Sequence, residues 1–250
     1  MPDRLRLWSH RWPQALARAL LPSSCALCGA IGADVVCGPC QLDHAGAVRA
    51  RCRCCANPVA ASDAAASPVL CGACLAERPA FDATIAAADY APPLDQLVLQ
   101  LKFGGGLALA PWFAGLLRDA VLAQPGFALP DVLCPVPLGP ARLVERGFNQ
   151  ALEIARPLAS ALGVPLQPRL AVRVRDTDAQ SGVTPPERQA NIRGAFELGP
   201  DALDAVAGRH VGIVDDVMTS GHTLNELAAT FKQAGAVRVS NLVFARTPPH

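Results

Sequence analysis

The run Val211-Gly212-Ile213-Val214-Asp215-Asp216 narrows the folds open to this chain more than any other segment. Its apolar residues have strand character, and it ends in two adjacent carboxylates. The residues Val217-Met218-Thr219-Ser220-Gly221-His222-Thr223 follow as a loop centred on small and hydroxyl side chains. Beyond it, Leu224 to Ala234 has the apolar spacing of an amphipathic helix. Strand, loop and helix in that order form a unit of an open α/β sheet, which binds ligands outside the carboxyl ends of its strands. The N–H groups of residues 217 to 223 then converge beside a helix N-terminus, a favourable place for a phosphate. Two acids beside a phosphate cradle make sense when a sugar lies between them. Asp215 and Asp216 can accept hydrogen bonds from vicinal ribose hydroxyls while the loop holds a 5′-phosphate. A Walker A loop is excluded, because no Gly-Lys-Ser/Thr is present.

Cysteine spacing is the second strong constraint. Nine of the ten cysteines lie between residues 25 and 74. Eight of them form pairs of one spacing: Cys25/Cys28, Cys37/Cys40, Cys52/Cys55 and Cys71/Cys74. A C-x-x-C pair on a tight knuckle offers two thiolates to one tetrahedral ion, and two knuckles complete a Cys₄ zinc site. Eight ligands therefore imply two zinc ions. Sequential pairing, 25/28 with 37/40 and 52/55 with 71/74, is the simplest, and an interleaved pairing is also open. Cys54 is a spare. Residues 25 to 78 hold few large apolar side chains, so metal binding is expected to be coupled to the folding of this module. Arg49, Arg51 and Arg53 form a basic cluster that suits either a solvated face or a weak nucleic-acid contact.

A chain of 250 residues with 51% hydrophobic content suits one α/β domain plus a smaller module. The net charge of +1 provides no strong overall field for nucleic acid. No apolar stretch reaches the length of a membrane span, and Arg11, Pro13 and Arg18 interrupt any signal-peptide core. Leu5 to Leu21 reads as a short amphipathic helix with a break near Pro13. From residue 80 onward, strand and helix patterns alternate. Ala83 to Tyr90, Val132 to Val136, Arg169 to Arg175, His210 to Asp215 and Val237 to Phe244 read as strands. Leu94 to Phe103, Leu107 to Leu122 and Asn149 to Leu162 read as helices. That alternation predicts a parallel sheet flanked by helices. The expected organisation is an N-terminal segment at 1–24, a double zinc-ribbon module at 25–79 and an α/β domain at 80–250.

Two further constellations suit a diphosphate. Pro135-Val136-Pro137-Leu138-Gly139-Pro140-Ala141-Arg142 leads into Arg146-Gly147-Phe148-Asn149-Gln150 just past a strand end. Arg142 and Arg146 can clamp anionic oxygens, and Asn149 is placed to cap the next helix. The polar stretch 176 to 192 suits a loop that closes over bound diphosphate and keeps water from a cationic ribose.

The segment 211–223 resembles the phosphoribosyl-pyrophosphate (PRPP) motif of type I phosphoribosyltransferases. The whole chain resembles the ComF family of bacterial DNA uptake, including its GntX-like members. That likeness rests on the cysteine knuckles, on Leu101-Lys102-Phe103 followed by glycine, on Pro135-Val136-Pro137 with Arg142, and on Arg146-Gly147-Phe148-Asn149-Gln150. Thr177-x-x-Gln180 with Arg188, Asn191, Gly194 and Phe196 extends it. The resemblance implies a type I phosphoribosyltransferase-like fold with an N-terminal zinc ribbon, a cytoplasmic location and PRPP bound with magnesium. It also implies single-stranded DNA and proteins of the competence machinery as partners. Asp215, Asp216 and Arg146 are the expected catalytic set. Residues 217 to 223, Arg142, Lys102 and Arg188 are the expected PRPP contacts. Tyr90, Lys102 and Phe103 are the candidates for holding an acceptor, since the few residues after the last strand are expected to form no hood. Three readings are open: transfer of phosphoribose to an unknown acceptor, a PRPP-responsive module without turnover, and a scaffold for DNA and proteins.

Overall fold

The computed structural model describes residues 23–45, 50–60, 69–175 and 192–248. The segment Leu5 to Leu21, Arg49, Arg188, Asn191 and nearly all of the expected loop at 176 to 192 lie outside the described residues. The chain divides into two compact units, Met1–Ala47 and Val48–His250.

In the first unit, a short antiparallel pair joins β1 (Ser23–Ser24) to β2 (Ile31–Gly32), and helix α1 follows at Gly38–Ala45. Cys25 and Cys28 lie on the turn between the strands, while Cys37 and Cys40 lie at the start of α1. The second unit begins with another knuckle and α2 (Gly72–Ala76), then β3 (Ala83–Asp89), α3 (Leu94–Phe103) and α4 (Leu109–Ala123). Next come β4 (Val132–Pro135), α5 (Pro140–Arg146), α6 (Gln150–Leu162), β5 (Ala171–Arg173), β6 (Phe196–Leu198) and α7 (Leu203–Val206). The chain closes with β7 (His210–Met218), α8 (His222–Gln233) and β8 (Arg238–Arg246).

The main sheet is parallel throughout, in the order β3-β8-β7-β4. Strands β7 and β8 are nearly all buried, as the middle strands of a covered parallel sheet must be. Side chains on the two sheet faces pack into separate layers. Val211, Ile213, Val239 and Val243 share a core with Leu227 and Phe231 of α8. On β8, Phe244 stacks on Phe113 of α4, with centroids 3.8 Å apart.

Several expected elements sit where the pattern put them, α3 from Leu94 to Phe103 among them. Pro111 lies in the first turn of α4, where its missing N–H costs nothing. Asn149 caps α6, its side chain accepting from the N–H groups of Ala151 and Leu152 at 2.9 and 3.4 Å. The strand expected at Arg169 to Arg175 is shorter, and it leaves the main sheet. It pairs antiparallel with β6, so Ala171 faces Leu198 and Arg173 faces Phe196. The run after Val136 that carries Arg142 and Arg146 contains the short helix α5, opened by Pro140 and ended by Gly147 at φ 79°.

The units do not divide at the expected boundary of 79/80. Cys52, Cys54, Cys55 and Cys74 are buried in one core with Phe81, Ala86, Val239 and Val243. The second knuckle pair is thus part of the α/β unit. Backbone bonds tie it there as well, Thr84 N–H donating to the Arg53 carbonyl at 3.2 Å. Replacement of Cys74 by Ser is therefore expected to destabilise the whole α/β unit by more than about 2 kcal/mol. Thermal unfolding followed by far-UV circular dichroism checks this: the main transition moves down, whereas an independent ribbon would leave it in place.

Candidate functional site

Strand β7 ends its ladder at Met218, opposite Arg246 of β8. Thr219 and Ser220 then bend away, and Gly221 stands at φ 84° as the N-cap of α8. A side chain at 221 would be strained, and its Cβ would lie 2.5 Å from Cε of Met218. The turn therefore depends on glycine. Among the described residues, the N–H groups of Thr219, Ser220 and Gly221 donate to no backbone carbonyl. They lie at the N-terminus of the twelve-residue α8, where partial positive charge adds to free donors. The loop is shorter than the expected 217–223: Val217 and Met218 continue β7, and His222 and Thr223 open α8, because the ladder with β8 extends to Met218 and Gly221 starts the helix directly.

Beside it lie the two acids. Asp216 is 2% exposed. Its Oδ2 lies 2.5 Å from Nζ of Lys102, at the last turn of α3. Its Oδ1 accepts from Nε2 of Gln150, the first residue of α6, at 3.2 Å. Oε1 of Gln150 in turn accepts from Arg146 at 2.5 Å. Arg146 also places its guanidinium 5.0 Å from the ring centre of Phe103, which is largely exposed. A relay of Lys102, Asp216, Gln150 and Arg146 thus joins three helices at the carboxyl end of the sheet. Burial lowers the Arg146 pKa from its usual value, with the charge of Asp216 opposing that shift.

Asp215 sits in a different environment. Its Oδ1 accepts the N–H of Asp216 at 2.9 Å. Burial pushes its pKa well above the usual carboxylate range, and the charge of Asp216 pushes it further, while Lys102 acts the other way. The acids are therefore not equivalent: Asp216 has a cation and an amide donor, and Asp215 favours its proton.

The expected site residues Asp215, Asp216, Lys102 and Arg146 come together at one end of the sheet, and the segment 217–223 spans the end of β7, the turn 219–221 and the start of α8. Arg142 lies on α5, four residues before Arg146 and partly buried. Arg188 lies outside the described residues. Two residues carry no role in the sequence reading. Gln150 follows the cap of α6 directly and closes the Arg146-Gly147-Phe148-Asn149-Gln150 string, but nothing there assigned it a contact. Arg246 ends an apolar strand, where nothing distinguishes it from a solvated terminus. Arg51, read as part of a basic surface cluster, is turned inward instead. It pairs with Asp89 at 2.8 Å and donates to the Ala56 carbonyl at 3.1 Å.

The cysteines form two groups, Cys25, Cys28, Cys37 and Cys40, and Cys52, Cys55, Cys71 and Cys74. The sequential pairing is the one the fold adopts. Within each group the sulfurs lie within 4.8 Å of one another. Cys28 and Cys37 approach to 3.7 Å, and Cys55 and Cys71 to 3.5 Å. A tetrahedral zinc with Zn–S near 2.3 Å needs sulfurs about 3.8 Å apart, so either group could hold one zinc ion. The knuckles share a further device. The N–H of Cys37 donates to Cys25 Sγ, and that of Cys71 to Cys52 Sγ, each at 3.3 Å. Burial raises the pKa of both sulfurs, but donors of this kind prevail and lower Cys25 to about 6 and Cys52 to about 7. Cys54 is buried, and its thiol points to the Phe81 carbonyl at 3.9 Å, outside either group. No described helix is long and apolar enough to cross a membrane.

The parallel sheet flanked by helices, with the acid pair near the end of β7 and the glycine turn before α8, defines a phosphoribosyltransferase-like domain. Residues 149–248 match the phosphoribosyl transferase domain family. DNA utilization protein YhgH of Salmonella typhimurium is 36% identical over 233 residues, which cover 91% of this chain and 98% of that protein. Competence protein F of Haemophilus influenzae is 32% identical over 180 residues, covering 70% and 78%. The chain belongs to the ComF family of phosphoribosyltransferase-like proteins. A solved glutamine PRPP amidotransferase from B. subtilis superposes with a TM-score of 0.36 at 21% identity, over 54% of this chain and 26% of that one. That superposition is too loose to argue from.

The raised pKa of Asp215 makes a signed prediction. Folding takes up a proton at this carboxyl, so its contribution to stability is full below the unfolded value and is lost as pH rises through the folded value. Asp215→Asn carries no such loss. The variant is expected to gain thermal stability relative to the parent as pH rises from 5 to 8, as read by melting temperature. A difference that does not change with pH would contradict the assignment.

Proposed function

We propose that this chain binds magnesium-PRPP and acts, as a phosphoribosyltransferase-type protein, in the uptake or use of external DNA. The observation that carries this reading is the free N–H array of residues 219 to 221 beside Asp215 and Asp216. The loop takes the 5′-phosphate and the acids take the ribose hydroxyls. Arg146 and Arg142 approach the diphosphate from the α5–α6 side. Magnesium arrives with the diphosphate and offsets its charge. The names of the relatives, DNA utilization and competence, support the cellular role, and with it a cytoplasmic location and single-stranded DNA or competence proteins as clients. In a transfer reaction this chain would supply orientation and charge. Asp216 and its relay hold the ribose, while the diphosphate leaves against arginine side chains. We further propose that each cysteine group holds one structural zinc, which elemental analysis of reduced protein would read as two ions per chain.

One feature favours binding without turnover as a second reading. Lys102, a candidate for contacting an acceptor or the diphosphate, is already held 2.5 Å from Asp216. The ribose hydroxyls must share that carboxylate with Lys102 or displace it. Diphosphate release from magnesium-PRPP with a panel of bases separates the two readings.

The binding claim is tested by calorimetry. Asp215→Ala with Asp216→Ala removes the hydrogen bonds of both acids to ribose, of which the charge-assisted one at Asp216 contributes about 1.5–3 kcal/mol. Affinity for magnesium-PRPP is expected to fall by at least about tenfold, a floor that allows for relief of repulsion. Unchanged affinity in a folded double variant would show that the acids do not bind ribose.

A further inference from the structure

Arg246 is the last residue of β8 and 6% exposed. Its Nε donates to the Cys55 carbonyl at 2.9 Å. Its Nη1 donates to the Met218 carbonyl at 3.0 Å, to the Thr219 carbonyl, and to the Thr247 carbonyl at 2.6 Å. One guanidinium therefore grips the knuckle of the second cysteine group, the last residue of β7 and the first residue of the loop that follows it.

Peptide geometry gives that grip a direction. In a trans peptide, a carbonyl and the following N–H point opposite ways. With the carbonyls of Met218 and Thr219 turned toward Arg246, the N–H groups of Thr219 and Ser220 face away from it. Those are donors of the anion cradle, free of backbone partners among the described residues. Among the described residues, no backbone N–H donates to the Thr219 carbonyl in place of the guanidinium.

Charge gives the grip a dependence. A buried guanidinium needs a compensating anion. Among the described residues no carboxylate is ion-paired with Arg246. The groups acting on it that can carry negative charge are the sulfurs of Cys55 and Cys71, while Arg51 opposes them with like charge. A divalent ion held by four thiolates leaves the group net negative, which is the counter-charge this site lacks when the thiols are protonated.

We propose that Arg246 is a positioning residue joining the Cys52–Cys55–Cys71–Cys74 group to the phosphate loop, so that metal at this group and anion at residues 219–221 bind cooperatively. The proposal rests on the PRPP reading for its ligand, but not for the coupling itself. The second cysteine group then does more than hold the fold: it sets the aim of the loop.

The test uses the full zinc-loaded chain and Arg246→Gln, with zinc release to a chromophoric chelator followed over time. In the parent, saturating magnesium-PRPP is expected to slow release of one of two zinc ions by about fivefold, the lower end of ordinary site coupling. In Arg246→Gln that slowing disappears, PRPP affinity falls, and one zinc leaves faster even without ligand. A merely structural arginine would lower the melting temperature and leave the effect of PRPP on zinc release intact, which would overturn the proposal. If the parent binds no PRPP, the ligand reading fails on its own, and equal ligand-free zinc release in parent and variant would then sink the coupling too. Should Arg246→Gln not fold, Arg246→Lys keeps the charge with one donor head in place of the fork. It is expected to weaken the slowing, and full retention would count against the proposal.

Discussion

The last rung of the β7–β8 ladder, Met218 opposite Arg246, is the constraint on which the rest of the site depends. Parallel pairing brings the two strands to their carboxyl ends together. The chain that leaves β7 must then turn directly into α8, and Gly221 permits it. Thr247 N–H donates to the Met218 carbonyl at 3.0 Å, and Arg246 adds its guanidinium to the same oxygen. With its carbonyls held on one side, the loop presents its N–H groups on the other. The acids just before this rung then lie beside these N–H groups. Remove the register and the acids, loop and helix have no fixed relation.

Charge balance sets the second level of organisation. Asp216 is buried, and a buried carboxylate without partners would take up a proton or unfold its surroundings. Lys102 and Gln150 supply those partners from α3 and α6. Asp215 is pushed the other way: burial, and then the charge of Asp216, raise its pKa, against the opposing effect of Lys102. A cationic ligand group or a metal-bound diphosphate would change this balance, so ligand binding and proton release are linked at this strand end.

Much of the architecture was legible from pattern. The α/β class, the motif strand, α3 and the Asn149 cap follow from short-range rules, because periodicity and capping act within a few residues. The four knuckles were also legible, and sequential pairing was the simplest reading, but the choice between sequential and interleaved sets of four was open until the fold decided it. What was not legible depends on long-range packing. Nothing in four identical C-x-x-C spacings tells which group shares a core with the sheet, yet Cys52, Cys55 and Cys74 pack with Phe81 and Val243. Arg173 lies in a strand pattern, and only the partner Phe196 shows that the strand belongs to a separate hairpin. Arg51 and Arg246 look like surface cations in sequence. Each is turned inward by acceptors far away along the chain, Arg51 by Asp89 and Arg246 by Cys55, Met218 and Thr219.

Amide hydrogen exchange across residues 217–223, with and without saturating magnesium-PRPP, tests the central claim most directly. The account predicts that the N–H groups of Thr219, Ser220 and Gly221 exchange readily in the free protein and become protected when the ligand is present. Exchange at these three positions that is the same with and without bound PRPP would contradict it, because a phosphate held elsewhere leaves this cradle open.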